Sequence, residues 1–135
     1  MDEAWRIGRG TYLDKNGQVP RSDILCDHLG RVVEICKKHD VEPMIWSDMF
    51  CKLALKTDNY YEVDGQGISE EKFSIPKDVS LVYWDYYSTD YSRYQKMIRL
   101  NQSFGQEVIF AGGIWTWIGY GPHWERTFKC TEKTN

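Results

Sequence analysis

The sequence predicts an α/β fold, a parallel sheet covered by helices, and three observations support this. Two segments carry apolar residues at helical spacing, three short apolar runs read as strands, and the two kinds alternate along the chain. Polar and aromatic residues gather where each apolar run ends, so they share the carboxyl edge of the sheet. In open α/β sheets and in (β/α)8 barrels that edge carries the chemistry.

The first helix is predicted over residues 22–39, SDILCDHLGRVVEICKKH, where Ile24, Leu25, Leu29, Val32, Val33 and Cys36 share one face. Ser22 or Asp23 serves as its cap, and Lys37, Lys38 and His39 complement the dipole at its carboxyl end. VEPMIWSDMF follows as a strand, with Pro43 tolerated near its start and Trp46, Ser47 and Asp48 at its end. Residues 51–78 are polar and rich in turn formers, including DGQG at 64–67 and Pro76, and are expected to form a long loop with a short helix near 69–73. VSLVYWDYY, residues 79–87, reads as the second strand. From Asp90, DYSRYQKMIRLNQSFG places Tyr91, Tyr94, Met97, Ile98 and Asn101 or Leu100 at helical spacing, and Gly105 closes that helix. EVIFAGGIWTW, residues 107–117, is the third strand, GYGPHW at 119–124 a loop, and the remainder a tail.

Composition narrows the function classes. A chain of 135 residues suits one domain. Its 17 basic and 20 acidic residues are interspersed, leaving no electropositive stripe for a phosphate backbone, so nucleic acid is not expected as a partner. No run approaches the roughly 18 apolar residues of a membrane span, and no basic and apolar leader precedes Trp5; the expectation is a cytoplasmic protein without a membrane partner. Cys26, Cys36, Cys51 and Cys130 lack paired Cys-x-x-Cys spacing and read as free thiols. His28 and His39 read as surface residues, while His123 follows GYGP where it could line a mouth. No metal constellation emerges, and the GRG and AGG glycines lack the context of a phosphate loop, so neither a metal nor a cofactor is expected.

Aromatic residues make up 15% of the chain, and the Trp residues at 5, 46, 84, 115, 117 and 124 tend to stand where apolar runs end. Any one of them is equally consistent with core packing; six together at strand exits favour a wall on which a sugar ring stacks. The adjacent carboxylates Asp2 and Glu3, taken alone, read as solvated charge near a terminus.

The surroundings change that weighting. MDEAW, then RIGRGTYLDKNG and an amphipathic helix, then a strand ending in Trp-Ser-Asp, resembles glycoside hydrolase family 20, the β-N-acetylhexosaminidases. In that family an Asp-Glu pair ends the fourth strand of the barrel; MIWSDMF resembles the fifth strand, LVYWDYY the sixth and VIFAGGIWTW the seventh. The resemblance covers almost the whole chain and implies a partial (β/α)8 TIM barrel, about strands 5–7 with the exit of strand 4. A closed barrel needs roughly 250 residues, so residues 1–135 are expected to be a fragment of a catalytic barrel domain. The family's His-x-Gly-Gly stretch before the pair, its sugar-binding Arg and its eighth strand have no counterpart here.

The resemblance implies hydrolysis of terminal β-linked N-acetylglucosamine or N-acetylgalactosamine, with the substrate's own 2-acetamido oxygen attacking the anomeric carbon. Glu3 would be the general acid and then base, which asks for a pKa raised toward neutrality, and Asp2 would stay ionised and orient the acetamido N–H. Candidates for the aromatic wall are Trp46, Trp84, Trp115 and Trp117. Asp48 and Asp85 could accept sugar hydroxyls, and Tyr86 or Tyr87 could donate to the acetamido carbonyl. Two other readings stand beside it. One is a catalytically inactive piece acting as a sugar-binding or assembly module; the other is an unrelated α/β protein with an aromatic cleft. A partial barrel would also leave strand edges and an apolar face open, and self-association through them is expected.

Overall fold

The computed structural model describes residues 6–54, 74–113 and 124–134. Helical spacing and apolar runs alternate in the sequence, and the elements follow suit: α1 (Thr11–Asn16), α2 (Arg21–Lys38), β1 (Met44–Trp46), α3 (Asp48–Ala54), β2 (Ser80–Trp84), α4 (Tyr91–Ser103), β3 (Val108–Ala111) and α5 (Trp124–Thr134). The strands form one parallel sheet in the order β1-β2-β3, with Ile45 beside Leu81, Leu81 beside Val108 and Trp84 beside Ala111. The α/β expectation holds at this level.

The long helices form for the predicted reason. In α2, Leu25, Cys26, Leu29 and Val33 are buried at helical spacing; in α4, Tyr94, Met97, Leu100 and Asn101 are. The start of α2 differs from expectation. The helix begins at Arg21, with Pro20 as its N-cap and no side-chain cap bond, while Ser22 is buried and Asp23 lies in the first turn. Pro20 holds a φ of −54° and has no N–H to satisfy, so the chain enters the helix earlier than a Ser or Asp cap would require. At the other end Asp40 takes a φ of 54°, while Val41 N–H donates to the Cys36 carbonyl and Asp40 N–H to that of Lys37, a Schellman closure. In α4, Asp90 accepts the Ser92 N–H at 2.9 Å and Gly105, at φ 78°, ends the helix as expected.

Three helices were not foreseen. Residues 48–54, read as a strand's end and the start of a loop, form α3, because Met49, Phe50 and Leu53 repeat at helical spacing within the same apolar stretch as the strand. The stretch read as a tail is α5, whose inward positions, Thr127 and Cys130, are too polar to stand out in a hydrophobic pattern. The six-residue α1 has no buried residue to announce it. The short helix expected near 69–73, the part of the third strand beyond Gly113 and the loop at 119–123 lie outside the described residues.

One face of the sheet carries the core. Ile45 and Leu81 pack with α2, α3, Ile75 and Val79, and Tyr83, Val108 and Phe110 pack with Cys51 and α4; Phe104 belongs to both clusters. A fully buried aliphatic side chain such as Leu81 contributes about 1.5–3 kcal/mol. The alternate residues, Met44, Trp46, Val82 and Ile109, share the opposite face by register, and Met44, Trp46 and Ile109 are exposed there. Parallel sheets are ordinarily covered on both faces.

Candidate functional site

The sheet is parallel, so the carboxyl ends of β1 and β2 lie at the same edge. On β1 the exit is Trp46-Ser47-Asp48. Ser47 N–H donates to the Val82 carbonyl at 2.9 Å, carrying the pairing one residue past the strand, and the Ser47 carbonyl accepts the Cys51 N–H, starting α3. Trp46 is 45% exposed, whereas Asp48 is buried in the first turn of α3, where the helix dipole favours negative charge. Asp48 Oδ2 lies 3.4 Å from Lys52 Nζ and makes no hydrogen bond among the described residues. This oxygen is itself buried, so it would meet a ligand only if the strand exit opened.

On β2 the exit is Trp84-Asp85-Tyr86-Tyr87. Trp84 stacks on Tyr86 with ring centroids 5.5 Å apart, and each ring meets Tyr87 at 6.2 Å, edge-on. All three are half-buried, so aromatic surface remains at this edge. Burial, and then the neighbouring Tyr87 hydroxyl, raise the Tyr86 pKa, which keeps that phenol a neutral hydrogen-bond donor.

Asp85 stands differently from what its neighbours suggest. It is 4% exposed, and both oxygens are engaged inside the chain. Oδ1 accepts the N–H groups of Tyr87 at 2.9 Å and Ser88 at 3.0 Å; Oδ2 accepts the Tyr83 hydroxyl at 3.2 Å and Arg93 Nε at 3.4 Å. A sugar hydroxyl would reach this carboxylate only by displacing one of these groups. Asp85 is therefore the internal anchor of the turn that presents Tyr86 and Tyr87. Desolvation and the Asp85 charge push the Tyr83 phenol far above its ordinary value, so it donates to the carboxylate throughout the working pH range.

The structure thus brings Trp46 and Asp48 to one strand exit and Trp84, Asp85, Tyr86 and Tyr87 to the next. Asp2, Glu3, Trp115 and Trp117 lie outside the described residues. Residues that sequence reasoning missed are Arg93, Arg126 and Cys130, which hold the turn after β2. Arg93 follows the Asp90 cap by three positions, but nothing local ties it to Asp85. Arg126 and Cys130 lie four apart on α5, a spacing that would have placed them on one helix face had that helix been foreseen.

A hollow of about 470 Å³ lies at the opposite end of the strands, where Pro43, Val79, Ser80 and Glu107 meet the Lys37–Asp78 ion pair. Its lining is mixed in charge, and it is far from the aromatic edge. Among the described residues no group of three His, Cys, Asp or Glu is placed to hold a metal ion, and no helix is long and apolar enough to cross a membrane. No family model matches the chain, and no match to a curated protein is found.

Proposed function

We propose that the chain is part of the catalytic barrel of a glycoside hydrolase family 20 β-N-acetylhexosaminidase, an exo-acting enzyme that removes terminal N-acetylglucosamine or N-acetylgalactosamine by substrate-assisted retaining catalysis. One observation carries the reading: two adjacent parallel strands end at the same edge in Trp-Ser-Asp and Trp-Asp-Tyr-Tyr, with stacked half-buried aromatics at the second exit and the Asp48 carboxylate at the first. A pyranose offers a C–H face to such rings and hydroxyls to such a carboxylate. The sequential strand order, with no reversal, and the apolar residues on the open sheet face agree with an arc of a (β/α)8 barrel whose interior the rest of the barrel would fill.

In this reading Glu3 protonates the leaving oxygen and later activates water, and Asp2 stabilises the charge that develops on the acetamido nitrogen. Trp46 and Trp84, with Trp115 and Trp117, form the wall, Asp48 accepts a hydroxyl, and Tyr86 or Tyr87 donates to the acetamido carbonyl. The test is hydrolysis of an aryl β-N-acetylglucosaminide by the purified chain and by a longer form extended at its amino end, each beside its Glu3→Gln variant. Turnover by either form, abolished by the substitution, supports the assignment; silence from both refutes it.

The exposed Met44, Trp46 and Ile109 also favour a second reading, an inactive assembly module that associates through its open sheet. It predicts a sedimentation coefficient above the monomer value, together with no turnover by this chain alone.

A further inference from the structure

We infer that Arg126, on the last helix, is a positioning residue for the Tyr86–Tyr87 turn, so that α5 helps set how this edge recognises its ligand; the ligand itself rests on the reading proposed above. The turn after β2 is saturated from two sides. Asp85 takes the N–H groups of Tyr87 and Ser88. The carbonyls are taken by side chains of α4 and α5. The Tyr87 carbonyl accepts both Nε and Nη2 of Arg126, at 3.0 and 2.6 Å. The Ser88 carbonyl accepts the Tyr94 hydroxyl at 2.6 Å and Cys130 Sγ at 3.0 Å.

A surface turn ordinarily leaves its carbonyls to water, and its peptide planes then rotate. Here a planar guanidinium grips one oxygen with two donors, which fixes the plane of the peptide between Tyr87 and Ser88. The Tyr87 ring is part of the Trp84–Tyr86–Tyr87 cluster, so turning that peptide re-aims the rings. Recognition by a ring face or a phenol tolerates displacements of only about 0.5 Å. Arg126 acts on the ligand only through the backbone of Tyr87.

The experiment uses the full chain with Arg126→Ala, Arg126→Lys and, as a helix control, Lys129→Ala, which removes the exposed pair with Glu125 on the same helix. Far-UV circular dichroism reports the fold, near-UV circular dichroism the aromatic cluster, and Trp fluorescence titration the affinity for N-acetylglucosamine. Arg126→Ala should keep the far-UV spectrum, change the near-UV spectrum and weaken binding about tenfold, the worth of one charge-assisted contact. Arg126→Lys, with a single donor on the same carbonyl, should recover part of both, and Lys129→Ala should alter neither. An Arg126→Ala protein with wild-type near-UV spectrum and affinity overturns the inference, and a changed spectrum with wild-type affinity overturns its link to recognition. If the wild-type chain binds no N-acetylglucosamine, the proposed ligand fails, and the near-UV comparison alone decides the positioning role. Should Arg126→Ala lose its far-UV signal, Arg126→Lys decides by the same two readouts.

Discussion

Asp85 is the residue whose removal should be felt most, because one carboxylate holds the strand, the turn and α4 together. Asp85→Ala leaves Arg93 without its buried counter-charge and strips the acceptor from two backbone N–H groups and the Tyr83 hydroxyl. Breaking a buried ion pair from one side costs about 3–5 kcal/mol, and each orphaned donor about 1 kcal/mol. The Arg93 contact is long, at 3.4 Å, and the turn is partly open to water, so the total should fall near 3–5 kcal/mol and not at the full sum. Against the roughly 5–15 kcal/mol of a typical domain this is a severe loss. Asp85→Asn keeps one oxygen for the turn and should cost about 1–3 kcal/mol. Equilibrium urea unfolding at neutral pH, followed by circular dichroism, measures both, and combining Asp85→Ala with Arg93→Met should give a coupling of at least about 1 kcal/mol. A cost for Asp85→Ala under about 1 kcal/mol, or no coupling, would refute the anchor.

Alkaline pH should destabilise the fold. Burial pushes the Cys51 thiol from 9.0 up to about 12, and burial also raises the phenols of Tyr83 and Tyr94. Each group is then protonated in the folded state at a pH where the unfolded chain has begun to ionise. The Cys51 contribution is present below pH 9.0 and lost as pH climbs toward about 12, at about 1.4 kcal/mol per unit. Urea midpoints should therefore fall above pH 9.0 and fall less steeply in Cys51→Ala; a flat wild-type profile would contradict this. Asp40→Gly should stabilise by about 0.5–1 kcal/mol, seen as a raised melting temperature, because Asp40 holds a left-handed φ of 54° at the end of α2. Gly8→Ala should lower the melting temperature by a loss of about 1–2 kcal/mol, since its φ is 74° and the added carbon would meet Ile24 Cδ1 at 3.0 Å.

What the sequence determined by itself is what local pattern encodes. Period 3.6 marked α2 and α4, apolar runs marked β1, β2 and β3, and the strand-end clusters at Trp46–Asp48 and Trp84–Tyr87 were visible as residues before any sheet existed. The parallel sheet followed from their alternation. Tertiary structure alone decided the rest. Asp48 and Asp85 look alike in sequence, each following an aromatic strand end, yet one keeps an oxygen with no hydrogen bond among the described residues and the other is surrounded by four donors. Three of those donors, Tyr83, Tyr87 and Ser88, lie within three residues of Asp85 and are aimed at it by the turn, while Arg93 comes from α4 eight residues on; Arg126, 39 residues beyond Tyr87, lies on a helix whose inward face is too polar to announce itself. Periodicity records which side of an element is apolar, whereas the fate of a carboxylate depends on how the turn after its strand aims the nearby donors and where the next helix docks, and neither is written in that period.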